Sequence, residues 1–267
     1  MQLLIDQGNS SIKWCFYHEQ VTEVPDSSNE SKVKHKFLSH VSINERAFPV
    51  NSGSLPELEE ELKNTSDSIS NVLISSVQKE TQLKQMIMCI RQHTSAPVMV
   101  AETTRDYQGL TNAYANVEQM GVDRWLVMVA CWQHFNSGFI VVDAGSAMTL
   151  DVVDKSGQHL GGHIIPGLSL QKRALLSGTD RVNFDQQTKA VVFKPGISTD
   201  EAVQNGCLTV LSGYIEAMYQ QYNEHESLPL VLTGGDAVVL SEALNIDHEV
   251  VPGLVLKGLH YHFSWNL

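Results

Sequence analysis

The sequence predicts an α/β fold: two duplicated ribonuclease-H-like domains, each built as βββαβαβ, with a cleft between them. Two observations predict it. First, one device occurs twice. An apolar strand ends on an aspartate, a small-residue turn follows, and a second apolar run resumes. The copies are Leu3-Leu4-Ile5-Asp6-Gln7-Gly8-Asn9-Ser10 and Val141-Val142-Asp143-Ala144-Gly145-Ser146. Second, each copy opens the same succession of elements, so the repeat is one of order and period rather than of residue identity. The halves are expected at residues 1–117 and 118–267.

Residues 2–6 and 11–18 read as strands joined by the Gln7–Ser10 turn. The polar stretch 21–34 reads as a hairpin or loop, and Lys32, Lys34 and Lys36 as a solvated edge. A third strand is expected over 35–41. Leu55, Leu58 and Leu62 recur at helical spacing with glutamates opposite. A strand over 72–77, a helix over 80–92 with apolar positions 83, 86, 87 and 90, and a strand over 97–100 complete the first half. A helix from Gly121 to Asn136 bridges the halves. The second half repeats the order: strands over 139–143, 148–154 and 159–165, then a helix opening over 168–176. A long helix over 200–223, a strand over 230–233, a helix over 237–244, a strand over 248–251 and a helix over 254–263 follow.

A chain of 267 residues buries roughly three-quarters of its extended surface on folding, enough for a core without staples. Its net charge of −12 argues against sequence-independent binding of nucleic acid, which needs clustered Lys and Arg. Cys15, Cys89, Cys131 and Cys207 are far apart in sequence and read as buried free thiols of a reducing compartment. The N-terminus enters a strand with no basic leader, and no apolar run reaches the length of a membrane span. A soluble cytoplasmic protein is expected.

The two Asp-x-Gly turns suit an anionic ligand. Glycine lets backbone approach a phosphate, and successive N–H groups in a tight turn form an anion-binding concavity. Ser10, Ser146 and the Asn9 amide add donors. Asp6 and Asp143 cannot bind phosphate directly and would act through a cation or water. A single Asp-x-Gly is also an ordinary β-turn; two at equivalent places favour a nucleotide cleft. Lys13 either reaches a phosphate or faces solvent. In Thr233-Gly234-Gly235-Asp236 a paired glycine opens a helix beside a ligand, although Asp236 also reads as an N-cap. In Gly121-Val122-Asp123-Arg124-Trp125, an acid and an arginine at a helix start suit a base and a carboxylate clamp. They equally suit a helix-dipole acid and a surface ion pair. Histidine spacing offers no zinc cluster. His159 and His163 stand roughly 13 Å apart along a strand, and His260 and His262 point to different sides of a helix.

LLIDQGNSSIKW, GVDRW, VVDAGSAMTLD, GGHIIPG and TGGDA together resemble the type III pantothenate kinases, a branch of the acetate-and-sugar-kinase, actin and heat-shock-chaperone superfamily. The resemblance runs from about residue 2 to the end and is weakest over 20–70. It implies a kinase that phosphorylates pantothenate with ATP, Mg²⁺ and a monovalent cation, potassium or ammonium. Asp6, Gln7, Gly8, Asn9, Ser10, Ser11, Ile12 and Lys13 would form the first phosphate loop. Ser146 would touch ATP, and Asp143 would lie near the monovalent cation. Gly234, Gly235 and Asp236 would flank the adenosine. Asp123 would be the general base, and Tyr114, Gly121, Val122, Asp123, Arg124 and Thr199 would contact pantothenate. Two departures stand out: Ser146 replaces the usual threonine, keeping the hydroxyl, and Met148 sits in a turn usually richer in threonine. The resemblance also implies a homodimer with the substrate site at the subunit interface. The apolar stripe Trp125, Leu126, Val129 and Trp132 is the expected contact, with inter-domain core as its other reading. A regulatory protein of the same fold is the rival function. It would have no reason to keep Asp6, Asp123, Arg124 and Asp143 together.

Overall fold

The computed structural model describes residues 1–18, 49–65, 68–178, 193–224 and 227–264. The first half contains β1 (Gln2–Gln7), β2 (Ile12–Tyr17), β3 (Asn51–Gly53), α1 (Leu55–Thr65), β4 (Asn71–Ser76), α2 (Glu80–His93) and β5 (Val98–Val100). A small hairpin, β6 (Asp106–Tyr107) and β7 (Leu110–Thr111), leads to α3 (Val122–Phe135). The second half contains β8 (Phe139–Ala144), β9 (Ala147–Val153), β10 (His159–Pro166), α4 (Leu168–Gly178), α5 (Thr199–Tyr222), β11 (Leu230–Thr233), α6 (Ala237–Ser241), β12 (Glu249–Val250) and α7 (Leu254–Ser264).

The duplication is a fact of topology. The sheets run β3-β2-β1-β4-β5 and β10-β9-β8-β11-β12. In both, the first strand pairs antiparallel with the second and parallel with the fourth. Alternation along β1 sends Leu3 and Ile5 to one face and Leu4 to the other, so both faces of the sheet are buried. The outer face of the first sheet is covered by α1 and α2 through Leu58, Leu62, Met86 and Ile90. The outer face of the second is covered by α4, α5 and α6. Between the sheets lie α3 and α7, whose side chains join Leu4 and Leu73 of one sheet to Phe139, Val141 and Val231 of the other.

This arrangement corrects several expectations. Trp125, Leu126, Val129 and Trp132 are buried in the shared core, so the stripe on α3 is inter-domain packing and not a subunit contact. The place beside β2 is taken by Asn51–Gly53, a segment not anticipated as a strand. The strand expected over 35–41, the loop over 21–34 and the lysine cluster lie outside the described residues. The helix expected over 237–244 stops at Ser241. Beyond it, the N–H groups of Ala243 and Leu244 donate to carbonyls three residues back, a tighter turn than the α-helix. Of the four cysteines, Cys15, Cys131 and Cys207 are buried as expected, but Cys89 is only half-buried. Among the described residues, no helix is long and apolar enough to cross a membrane.

The α3–α7 contact depends on Gly258. A Cβ there would run into the main-chain carbonyl of Leu126, which is backbone and cannot rotate away. Gly258→Ala is therefore expected to destabilise the protein by about 1–3 kcal/mol, and Gly258→Val by more, because overpacked cores shift backbone rather than compress. Urea unfolding midpoints at constant m-value measure the effect.

Candidate active site

The two Asp-x-Gly turns close the same end of the two sheets. Asp6 ends β1 opposite Lys13 on β2 and Ser75 on β4. Asp143 stands opposite Thr149 on β9 and Thr233 on β11. The topology thus seats each aspartate between the equivalent two strands of its sheet, though the residues opposite it differ. The turns are tight: Gly8 N–H donates to the Ser11 carbonyl at 3.1 Å, and Gly145 N–H to the Ala147 carbonyl at 3.1 Å. They meet across the cleft, where the Ser10 and Ser146 hydroxyls are 2.5 Å apart. The cleft measures about 290 Å³ and is lined by residues of both halves. Asp6, Gly8, Asn9, Ser10, Ser11 and Lys13 come from the first; Asp143 and Ser146 come from the second; Asp123 enters from the first turn of α3.

Four carboxylates, those of Asp6, Asp123, Asp143 and Asp236, line the cleft with Lys13 and make it strongly acidic. Asp6 is 6% exposed and its pKa is pushed up to about 7. Burial is the main cause; Lys13 opposes it, while Asp123 and Asp143 add to it. Asp143 is pushed up to about 6, again by burial first, with Lys13 opposing and Asp123 and Asp151 adding. Burial also raises Asp123. The Arg124 N–H, which donates to its Oδ1 at 2.8 Å, and the Arg124 charge oppose that rise. Burial and repulsion between carboxylates raise Asp6, Asp143 and Asp123, and a hard divalent cation bound among them would relieve both.

The third predicted motif completes the wall. Gly234 has φ +95°, which only glycine adopts freely, and a Cβ there would strike the Ala144 carbonyl and Asp143 Oδ1. Its role is to seat the β11 turn against the β8 turn. Gly235 faces the cleft, and a Cβ there would meet nothing. Asp236 holds the N-cap position of α6, yet its side chain makes no cap bond. It lines the cleft instead, and burial raises its pKa.

Arg124 and Tyr114 belong to a buried network behind Asp123. The Arg124 guanidinium, 4% exposed, grips Asp151: Nε donates to Oδ2 at 3.0 Å and Nη2 to Oδ1. Its Nη1 donates to the Tyr114 hydroxyl at 2.8 Å. His159 Nδ1 accepts from the Ala113 N–H, so its Nε2–H donates to Asp151 Oδ1 at 3.1 Å. The Tyr114 ring stacks on His159 with centroids 6.4 Å apart. Arg105 fixes the segment by donating to the carbonyls of Asn112, Tyr114 and Ala115. A ligand carboxylate at Arg124 would therefore share the guanidinium with Asp151. Sequence reading gave Asp151 and His159 no role. The available signal was a charge inside the apolar run Leu150-Asp151-Val152-Val153, where a buried acid requires a partner.

Not every predicted residue reaches the cleft. Gln7 turns away from it: its Oε1 accepts from Ser76 Oγ at 2.8 Å and its Nε2 faces the Gln82 carbonyl at 3.4 Å. Ile12 packs on the outer core of the first sheet. Both support the first turn from behind. Gly121 caps α3, and Val122 enters the shared core. Thr199 does not join Tyr114, Asp123 and Arg124. It is exposed at the start of α5, beside a separate groove with Leu175, Gly196 and Ile197. Val77, Thr149 and Ser169 line the cleft without having been singled out. They sit in the strand-end and helix-start segments next to the motifs.

Solved structures share this architecture. A Campylobacter jejuni protein described as a Baf family transcriptional activator superposes with TM-score 0.57 at 20% identity, covering 99% of this chain and 98% of that one. A Sinorhizobium meliloti protein described as a 2-dehydro-3-deoxygalactonokinase superposes with TM-score 0.51 at 11% identity, covering all of both chains. At these identities the likeness is one of fold alone. The sequence relatives are more specific. The type III pantothenate kinase of Chromohalobacter salexigens is 38% identical over 266 residues, 98% of this chain and 87% of that protein. The type III pantothenate kinase of Pseudomonas aeruginosa is 30% identical over 264 residues, 97% of each. The profile of the same family matches residues 2–221. The chain belongs to the type III pantothenate kinase family.

Proposed function

We propose that this chain transfers the γ-phosphoryl group of ATP to the terminal hydroxyl of pantothenate, giving 4′-phosphopantothenate in the first step towards coenzyme A. The observation that carries the reading is the meeting of Asp6, Asp123 and Asp143 in one cleft between two phosphate-type turns. Family membership supplies the substrate. The rival regulatory reading gains nothing from the site, since the four charged residues that a regulator could discard are all present and all engaged.

Catalysis here is positioning and electrostatics. The N–H groups and hydroxyls of the two turns cradle the phosphates, with Lys13 facing them. Asp6 and Asp143 are the residues that would hold Mg²⁺, and Asp143 also a potassium or ammonium ion. The bound cations would neutralise charge on the transferred group. Asp123 accepts the proton of the attacking hydroxyl. It stands at the positive end of α3, and Arg124, pinned by Asp151, holds the helix start in register. Gly235 and Asp236 flank the adenosine. Tyr114 and Arg124, with Gly121 at the helix cap, form the pantothenate side behind Asp123, while Val122 holds that helix start in the shared core. Thr199 lies outside the cleft of its own chain, which is where a residue supplied to a second copy would stand. We therefore take the working unit to be a homodimer, and its compartment the cytoplasm.

The purified protein is expected to release ADP from ATP and Mg²⁺ only when pantothenate is present, and faster in potassium or ammonium than in sodium. No pantothenate-dependent release from folded protein in any of these salts overturns the reading.

Asp123→Asn keeps the shape but not the base. It is expected to lower kcat by about 10²–10⁴, roughly 3–5 kcal/mol of barrier. Pantothenate binding should persist by calorimetry. Near-normal turnover would remove the assignment.

The raised acids also set a pH dependence. Asp6 and Asp143 keep protons, up to about pH 7 and 6, that the unfolded chain has lost near pH 4. Their contribution to stability is complete below that lower value and is lost as pH rises through the folded values. In chelator without nucleotide, the melting temperature should fall from pH 5 to pH 8, and Asp6→Asn should flatten the fall by several degrees. An equal fall in wild type and variant would show that the cleft acids are not its source.

A further inference from the structure

On the far side of the first sheet, α1 and α2 pack together through Leu58, Leu62, Met86 and Ile90. At the rim of that packing three side chains converge: Glu59 from α1, and Cys89 and His93 from α2. Cys89 and His93 are four apart on one helix and so share a face. The Cys89 Sγ, a His93 ring nitrogen and a Glu59 carboxylate oxygen all lie within 4.8 Å of one another. All three residues are half-buried. His93 Nε2 is out of contact with water, has no hydrogen-bond partner, and points at Glu59 Oε1 3.5 Å away. None of the three lines the catalytic cleft.

A buried ring nitrogen left without a partner is costly, and its surroundings show what would satisfy it. In a tetrahedral zinc site, bonds of about 2.0–2.2 Å to nitrogen and oxygen place those two ligand atoms about 3.4 Å apart. Glu59 and His93 already stand at that separation. The thiol lies within 4.8 Å of both, so a contraction of at most about 1 Å brings it to the roughly 2.3 Å of a zinc–sulfur bond. One thiolate, one imidazole and one carboxylate form a mixed donor set that favours zinc over the hard magnesium ion.

We propose that Glu59, Cys89 and His93 form a second metal site, for a thiophilic divalent cation of the zinc class, completed by one water. Binding displaces the thiol proton to solvent, and the imidazole enters neutral. The ion ties α1 to α2, so the site is a clamp on the outer layer of the first half rather than part of phosphoryl transfer. Sequence reading missed it because it tested histidine pairs. The informative spacing is Cys89 to His93 on one helix, met by an acid from another.

Cobalt reports the ligand set directly. Metal-free protein titrated with Co²⁺ is expected to develop a thiolate-to-cobalt charge-transfer band in the near ultraviolet. Visible bands of tetrahedral intensity should accompany it, and Zn²⁺ should abolish both. Cys89→Ser should remove the charge-transfer band. His93→Gln and Glu59→Gln should each weaken cobalt binding at least tenfold. Asp143→Asn, which alters only the catalytic cleft, should leave the band intact. Zn²⁺ should raise the melting temperature of wild type and not of Cys89→Ser. All three clamp variants should keep wild-type pantothenate kinase turnover in Mg²⁺, which also shows that they fold. The proposal is overturned by absence of the charge-transfer band in wild type, or by its survival in Cys89→Ser. It is equally overturned if both His93→Gln and Glu59→Gln bind cobalt as tightly as wild type, which would reduce the site to a lone thiol.

Discussion

The close approach of α3 to α7 sets the geometry of the whole molecule. These two helices are the only layer shared by both sheets in the described structure, and their separation fixes how far apart the sheets stand. A glycine at 258 lets the helix backbones meet at the Leu126 carbonyl. Trp125, Leu126, Val129 and Trp132 then bury fully or nearly so, each contributing roughly 1.5–3 kcal/mol of transfer free energy. The same contact acts at the catalytic end. The first turn of α3 carries Asp123 into the cleft, and the sheet spacing brings Ser10 against Ser146. One packing interaction therefore supports both the core and the convergence of the two turns.

The cleft runs against the logic of the core. It gathers Asp6, Asp123 and Asp143 around Lys13, with burial and mutual repulsion holding the acids above their ordinary pKa values. Folding alone would not favour such a cluster. It makes sense as a site whose missing positive charge arrives with a bound cation, so that stability is given up where binding restores it. The Arg124–Asp151 pair behind it is the opposite case. Its charges are opposite, bidentate and further satisfied by Tyr114 and His159, so it is rigid without ligand. A compliant, repelling front is backed by a fixed, neutralised rear.

Much of this was legible in the sequence because it rests on local rules. Strand-aspartate-glycine repeated twice gave both turns, and apolar spacing gave most helices to within a residue or two, the C-terminal ends of α1 and α6 differing by three. Element order gave the duplication. What was not legible depended on which faces meet. The stripe on α3 has the same composition whether it packs on a sheet or on a second copy, and only the fold decides. Asn51–Gly53 has no strand signature of its own and becomes one by pairing with β2. Gln7 and Ile12 lie inside a phosphate-loop motif yet face backwards, because alternation along β1 and β2 sends neighbours to opposite sides. Asp151, His159 and the Glu59–Cys89–His93 group come from segments that sequence distance separates.

The helix that closes the core joins segments from opposite ends of the described chain. His260 on α7 bonds Gln2 on β1 across 258 positions, its Nδ1 3.0 Å from the glutamine Oε1. Tyr107 anchors to the Tyr261 carbonyl at 3.1 Å. During synthesis, the inner face of the first sheet must therefore wait, only partly covered by α3, until α7 has left the ribosome. A nascent chain holding only the first half exposes Leu4, Leu73 and their neighbours to water or to a chaperone. Loop closure over so long a span is slow. The two turns cannot meet before that closure, so the cleft between them arrives in one late step rather than lobe by lobe.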